Sequence, residues 1–540
     1  MKRRTHLIAL TFLALLALAV LCLRIGQKTS AAAAKQPALP AIAKQTPTPT
    51  PAPTPCPFVP IDPVKYGNKP FQNPPEIRSV QGRLQTTLAV KYTDPKTTMI
   101  GGCGVTLRTY NGQLVGPTLR VKPGDVLNIL LDNQLPVETP DEAAAQVNQE
   151  ASNAFINTQP HSFNTTNLHT HGLHVSPVGN SDNVLLAIPP QTQLPYEIKL
   201  PANHPSGAFW YHAHAHGSTA IQVGSGMAGA LIIEDDPAKI PATLREANKH
   251  EKVLVFETIL YDAQGKAQDI TSFFPDSPPP APQPTPCQQN LPSCTWNGSL
   301  RRTTINGQIV PIIKMQPGEV QRWRMIDAAF RESIFLQIRK QGSKSEGIAF
   351  NEIALDGIYL SKMDTWLPNQ PIDLEPGYRS DALVQAPLAR GRYELIDASS
   401  LTTKLGVGLR GTQEEEDVLA YIDIDGPRLE MKLPTSDEIA KLNPFPGVKL
   451  YETADGVQEA VFKLGSAVDS NTDGRNYFQI NYAAFNPTHV RYLQLGAIDM
   501  WNLVTIGDPP GIQPPGNAIP PLPHVFHIHV NPFQMQRQDP

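Results

Sequence analysis

The feature that most constrains this chain is a block that occurs twice. Asn111-Gly112-Gln113-Leu114-Val115 is followed by Pro123-Gly124-Asp125-Val126, and Asn306-Gly307-Gln308-Ile309-Val310 is followed by Pro317-Gly318-Glu319-Val320. Each block reads as strand, tight turn, strand, Pro-Gly turn and strand. Asn-Gly tolerates the positive φ that a two-residue hairpin turn requires. The Pro-Gly turns lie 194 residues apart. That interval is far longer than the ~20–50 residues of a solenoid repeat and predicts two similar β-domains. A third β-rich stretch opens near Asn476, with Phe478-Gln479-Ile480-Asn481 and the run Leu493 to Val504.

Composition supports an all-β reading. Proline makes up 55 of 540 residues, about twice the usual ~5%. Charged residues are 17%, below a typical ~25%. Few long stretches carry a helical period; residues 137–153 are the exception and read as a short helical excursion. The length suits about three domains of ~100–200 residues. The expected boundaries are 78–236 for the first, 250–425 for the second with a proline-rich insertion at 273–292, and 436–540 for the third. The net charge of −4 is small, and no dense Lys/Arg patch alternates with aromatics. Nucleic acid is therefore not an expected partner.

The N-terminus has the pattern of export. Lys2, Arg3 and Arg4 precede an apolar run from Leu7 to Leu23, and Ala31 to Ala34 offer small residues for cleavage. Residues 1–34 read as a signal peptide, with a retained membrane anchor as the alternative. Residues 35–77 form a Pro/Ala/Thr-rich linker and lead-in. Either way the folded part is expected outside the cytoplasm, in a periplasm or at the cell surface. Four cysteines follow that segment, Cys56, Cys103, Cys287 and Cys294. An even number in an exported chain favours disulfides. Cys287 and Cys294 share one loop, which leaves Cys56 for Cys103.

Three His-x-His pairs carry the chemistry: His169-Thr170-His171, His212-Ala213-His214 and His527-Ile528-His529. On a strand, residues i and i+2 share a face, so each pair would project two imidazoles side by side. Neutral imidazole suits copper, zinc, iron and nickel. Six imidazoles converging from the two ends of the chain are too many for one tetrahedral zinc. His524, three residues before His527, would turn to the other face and serve a different metal.

Asn167-Leu168-His169-Thr170-His171-Gly172-Leu173 resembles the first copper motif of the multicopper oxidases. Phe209-Trp210-Tyr211-His212-Ala213-His214 resembles the second, and His524-Val525-Phe526-His527-Ile528-His529 the third. The resemblance runs from about Pro75 to Pro540. It implies three consecutive cupredoxin-like Greek-key β-sandwich or barrel domains of the laccase type. It implies that His169 and His527 hold a type 2 copper and that His171, His212, His214 and His529 hold a type 3 pair. It makes His524 one ligand of a type 1 blue copper. The implied activity is one-electron oxidation of a phenol, an aromatic amine or a metal ion, coupled to four-electron reduction of dioxygen to water. Asp182, eleven residues after His171, resembles the family's acidic residue that delivers protons to bound oxygen; its other reading is a turn aspartate.

One family motif is missing. No cysteine of this chain stands beside a histidine, whereas a blue copper site needs a thiolate and two histidines. Two type 3 histidines are missing with it. The expectation is a truncated third domain and a chain inactive as it stands. The alternatives are a non-catalytic cupredoxin-fold envelope or scaffold protein, or a copper-binding protein with a partial cluster. Of the other residues near the motifs, His216 continues the spacing of the second pair but reads as packing. His174 should face away from His171, and His161 and His204 read as surface or loop residues. Trp210, Tyr211 and Met227 read as core.

Overall fold

Asn111 and Gly112 adopt φ of 57° and 75°, and Asn306 and Gly307 adopt 54° and 72°, the left-handed pair that a tight hairpin turn needs. Each asparagine is also stitched to a neighbouring strand. The Asn111 N–H donates to the Ala89 carbonyl at 2.7 Å, and its Oδ1 accepts from the Ala89 N–H at 2.9 Å. Asn306 exchanges the same two bonds with Val255, at 2.9 and 2.8 Å. The structure contains a third copy. Asn481 and Tyr482 sit at φ of 52° and 64°, and Asn481 exchanges the two bonds with Val461 at 2.9 and 2.8 Å.

A second turn follows in each copy, closed by Asp125 N–H on Lys122 O, Glu319 N–H on Gln316 O and Ala497 N–H on Gln494 O. It leads into the strands Val126–Asn133, Val320–Asp327 and Asp499–Ile506. These run parallel to Arg83–Tyr92, Lys252–Tyr261 and Gly456–Ser466, the same strands that receive the asparagines. The protein is mostly β, and one local design recurs three times along it.

The computed structural model describes residues 56, 61–139, 161–267, 300–330, 333–398, 417–445, 454–466, 476–483, 485, 491–507 and 525–534. Residues 140–153 of the expected helical excursion lie outside these, and residues 137–139 are not helical. The N-terminal segment, the 273–292 insertion, Cys287, Cys294 and His524 also lie outside them. Cys56 and Cys103 are joined, with Cα atoms 5.3 Å apart. Among the described residues no helix is long and apolar enough to cross a membrane.

The first unit is a sandwich. One sheet has the order Glu76–Arg78, Thr118–Val121, Ala228–Ile233, Gly207–His212, His169–His171; the other has Arg108–Tyr110, Arg83–Tyr92, Val126–Asn133, Thr192–Lys199. Leu88, Leu119, Leu131, Phe209, Tyr211 and Leu231 fill the space between them. The second unit repeats the plan with two six-stranded sheets around Phe256, Trp323, Leu336 and Leu395. The third set of strands forms a three-stranded sheet.

The first sheet is buried on both faces. Its inner face carries Phe209, Tyr211 and Leu231 into the first core. Its outer face carries Ala208, Trp210, Ala230 and Ile232 against Val253, Val255, Ile326 and Ala328 of the second unit. This is why Gly207–His212 and Ala228–Ile233 are buried at every position and show no polar alternation.

Beside that apolar seam lies a buried ionic one. Arg322 Nη1 sits 2.6 Å from Asp235, Arg324 Nη1 sits 2.9 Å from Asp381, and Arg324 also pairs with Glu251. Glu251 in turn meets Arg120 of the first sheet. Burial alone would raise the Glu251 carboxyl, but Arg324 and Arg120 outweigh it and hold it at about 2.

Candidate metal centre

The candidate centre grows out of the outer face of the first sheet. Strand register sets His212 opposite His169 and Trp210 opposite His171. Opposed residues share a face, so three imidazoles and one indole lie side by side. Trp210 stacks on His212 with ring centres 4.1 Å apart and lies 5.0 Å from His171. Tyr211, between them in sequence, points into the core, where its hydroxyl donates to the Pro117 carbonyl. Met227 is fully buried in that core.

Only the first pair lies wholly on a strand. The second strand ends at His212, and residues 525–530 are not in a strand. Side-chain bonds replace the ladder there. Asn167 Oδ1 accepts the His214 N–H at 2.7 Å, while Asn167 Nδ2 donates to Val184 and Leu186. The third pair is held by His174, whose Nδ1 donates to the Val530 carbonyl at 3.1 Å. His527 then stacks on His171 at 3.8 Å, and His529 on His169 at 4.2 Å. His214 lies 5.2 Å from both His169 and His529. All six histidines of the three motifs thus meet in one cage.

Two triplets have nitrogens within 4.8 Å of one another: His169, His171, His212 and His169, His527, His529. Burial, then the neighbouring histidines, push His169 and His171 well below their ordinary 6.5, and His212 likewise. His529 is pushed down to about 4 by burial and His214. The cage therefore presents neutral imidazoles, the form that binds metal.

Their hydrogen bonds orient the donors. Both Asp182 oxygens lie 3.0 Å from His169 Nδ1, and Oδ1 also accepts the Thr170 N–H at 2.7 Å. An Nδ1–H is required, which leaves the His169 Nε2 lone pair free. That atom is buried and has no partner among the described residues. His212 likewise donates through Nδ1 to the Ala213 carbonyl, and its Nε2 faces His171 Nδ1 at 3.3 Å. A carboxylate behind an imidazole with an unpartnered buried nitrogen in front is the arrangement that metal-binding histidines use. Copper fits this donor set. Burial raises the Asp182 carboxyl to about 6.

Several histidines depart from the sequence reading. His216 is exposed and lies against Phe485 at 4.6 Å, because the strand has already ended. His204 is buried; its Nε2 accepts the His174 N–H and its Nδ1 donates to Pro205. It braces the turn after the first motif. The second unit also reaches the cage through Gly377 and Arg379. A Cβ on Gly377 would lie 3.2 Å from His171 Cε1, and nothing in the motifs signals this contact.

The family profile described as multicopper oxidase matches residues 145–238. The multicopper oxidase mco of Staphylococcus haemolyticus is 37% identical over 129 residues, covering 23% of this chain and 22% of that protein. The cell division protein FtsP of Xenorhabdus nematophila is 27% identical over 278 residues, covering 51% of this chain and 45% of that protein. These matches span from about a fifth to about a half of the relatives' own lengths. In structure, a multicopper oxidase from Campylobacter jejuni, described as a metallo-oxidase, covers 82% of this chain and 80% of its own, with a TM-score of 0.56 and 20% identity. With three copper motifs drawn into one histidine cage, the chain is similar to multicopper oxidases in the profile match at residues 145–238 and in its overall fold.

Proposed function

We propose that this chain is the body of an exported copper oxidase and that the cage is its oxygen-reducing centre. The observation that carries the reading is the convergence of six histidines from three distant motifs. His169 and His527 would hold a type 2 copper, and His171, His212, His214 and His529 a type 3 pair. Copper held by these residues would supply the one-electron chemistry that couples oxidation of a phenol, aromatic amine or metal ion to reduction of dioxygen to water. Asp182 fixes the donor atom of His169. A carboxyl raised to about 6 also holds or releases a proton near neutral pH at Oδ1 and Oδ2, as proton delivery requires. The recurring turns support three cupredoxin-like domains near 78–236, 250–425 and 436–540.

His524 would be one ligand of a type 1 copper, yet this chain supplies no cysteine beside a histidine. The 540-residue chain should therefore load the cage without gaining a strong blue band, and should consume no dioxygen with a phenol. Copper counting with visible and paramagnetic spectroscopy, alongside oxygen uptake, tests this. Absence of bound copper would favour the scaffold reading. A strong blue band would refute the reading of an incomplete type 1 site.

A further inference from the structure

Arg379 borders the cage but belongs to no histidine motif. It opens the strand Arg379–Gln385 of the second unit. Its guanidinium packs on Gly172, the residue after His171; a Cβ there would lie 2.5 Å from Nη2. The residue is 4% exposed. Its partners are few for a buried guanidinium. Nη1 donates to the Gly377 carbonyl at 2.8 Å and faces Asp356 Oδ1 at 3.1 Å, and Nη2 donates to the Asp356 carbonyl at 3.0 Å. Nε has no partner among the described residues. The Asp356 side chain is 32% exposed, so water screens the countercharge more than the charge. A guanidinium stays protonated throughout the working pH range. Its field, only partly offset by Asp356, reaches His169, His171 and His527.

We propose that Arg379 is a positioning residue whose fixed charge makes the histidine cage resist each added cation and favour an anionic co-ligand once copper is bound. The inference rests on the copper reading of the cage. A like charge across a few ångströms of poorly solvated protein opposes metal entry and attracts an anion to the loaded site. Loss of the charge should move the two affinities in opposite directions. Loss of packing alone would weaken both.

Arg379→Met removes the charge and keeps an apolar stem near Phe209, over whose ring the guanidinium now lies. In the full chain, copper(II) affinity is measured by chelator competition. Azide affinity of the copper-loaded chain is measured from the azide-to-copper absorption. Copper should bind tighter and azide about tenfold more weakly, a change equal to ~1.4 kcal/mol. Asp356→Asn keeps the Oδ1 that accepts the Arg379 N–H but removes the countercharge, and should tighten azide. Two affinities that fall together in Arg379→Met, no change in either, or unchanged azide binding in Asp356→Asn would overturn the proposal. A wild-type chain that takes up no copper would overturn the copper reading and this inference with it.

Discussion

Asp182→Asn separates the charge of the carboxylate from its shape. Asp182 is 1% exposed, receives the Thr170 N–H at 2.7 Å and places both oxygens 3.0 Å from His169 Nδ1. An asparagine would keep Oδ1 on the Thr170 N–H and turn its NH₂ toward His169. The imidazole would then accept at Nδ1 and carry its proton on Nε2, where the metal must bind. Restoring the productive tautomer forfeits a charge-assisted bond worth ~1.5–3 kcal/mol. Copper affinity should therefore fall ~10–100-fold, the range for losing such a supporting carboxylate. Chelator competition at pH 8 is the assay, since the carboxyl titrates at about 6 and is ionised there. At pH 5 the wild-type carboxyl is protonated in the metal-free chain, and the gap should narrow. Equal affinities at pH 8, or a gap unchanged at pH 5, would refute the reasoning.

Arg322→Met should lower unfolding stability by up to ~3 kcal/mol, because it leaves Arg324 as the one remaining arginine partner of the buried Asp235 and Asp381, the low end of the cost of breaking a buried ion pair; urea melts of the two proteins decide this. The metal-free chain should lose stability as pH falls from about 6.5 toward 4. His529 is held down to about 4 in the fold, so the unfolded chain takes up protons first, and its contribution is full above the unfolded value and lost below it. Urea midpoints at pH 7 and pH 5 measure the change, and a flat profile would count against the buried neutral cage. Cys56→Ser should cost about 2–4 kcal/mol by releasing a cross-link between residues 47 apart, an effect that should vanish when both proteins are melted under reducing conditions.

The turns and the histidines show how much was legible in the residues. Asn-Gly at 111 and 306 announced itself because glycine tolerates positive φ. The third copy is hidden by Tyr482, which sits at φ 64°. Two bonds between Asn481 and Val461 hold that turn without glycine's freedom. The three histidine pairs were legible as chemistry, but the strand rule explains only the first. Asn167 and His174 place the others through side-chain bonds, the latter across 356 residues. His204 lies in a loop as expected, but its burial was not legible because its partner is a backbone N–H 30 residues away. The second unit's share of the site was invisible for the same reason. Gly377 and Arg379 follow no spacing; they matter because the outer face of the first sheet packs on that unit.

The bond from His174 to Val530 joins parts of the site that are made at very different times. The first four histidines of the cage are translated by residue 214, and His527 follows 313 residues later. At ~5–20 residues per second the ribosome takes roughly 15–60 s to cover that distance. The first sheet can fold in that interval and present a half-built, four-nitrogen mouth. A metal ion arriving early meets an incomplete ligand set and is free to leave. Docking of residues 525–530 supplies the last two imidazoles, so on the copper reading a metal would be retained only once the third motif has reached the first two.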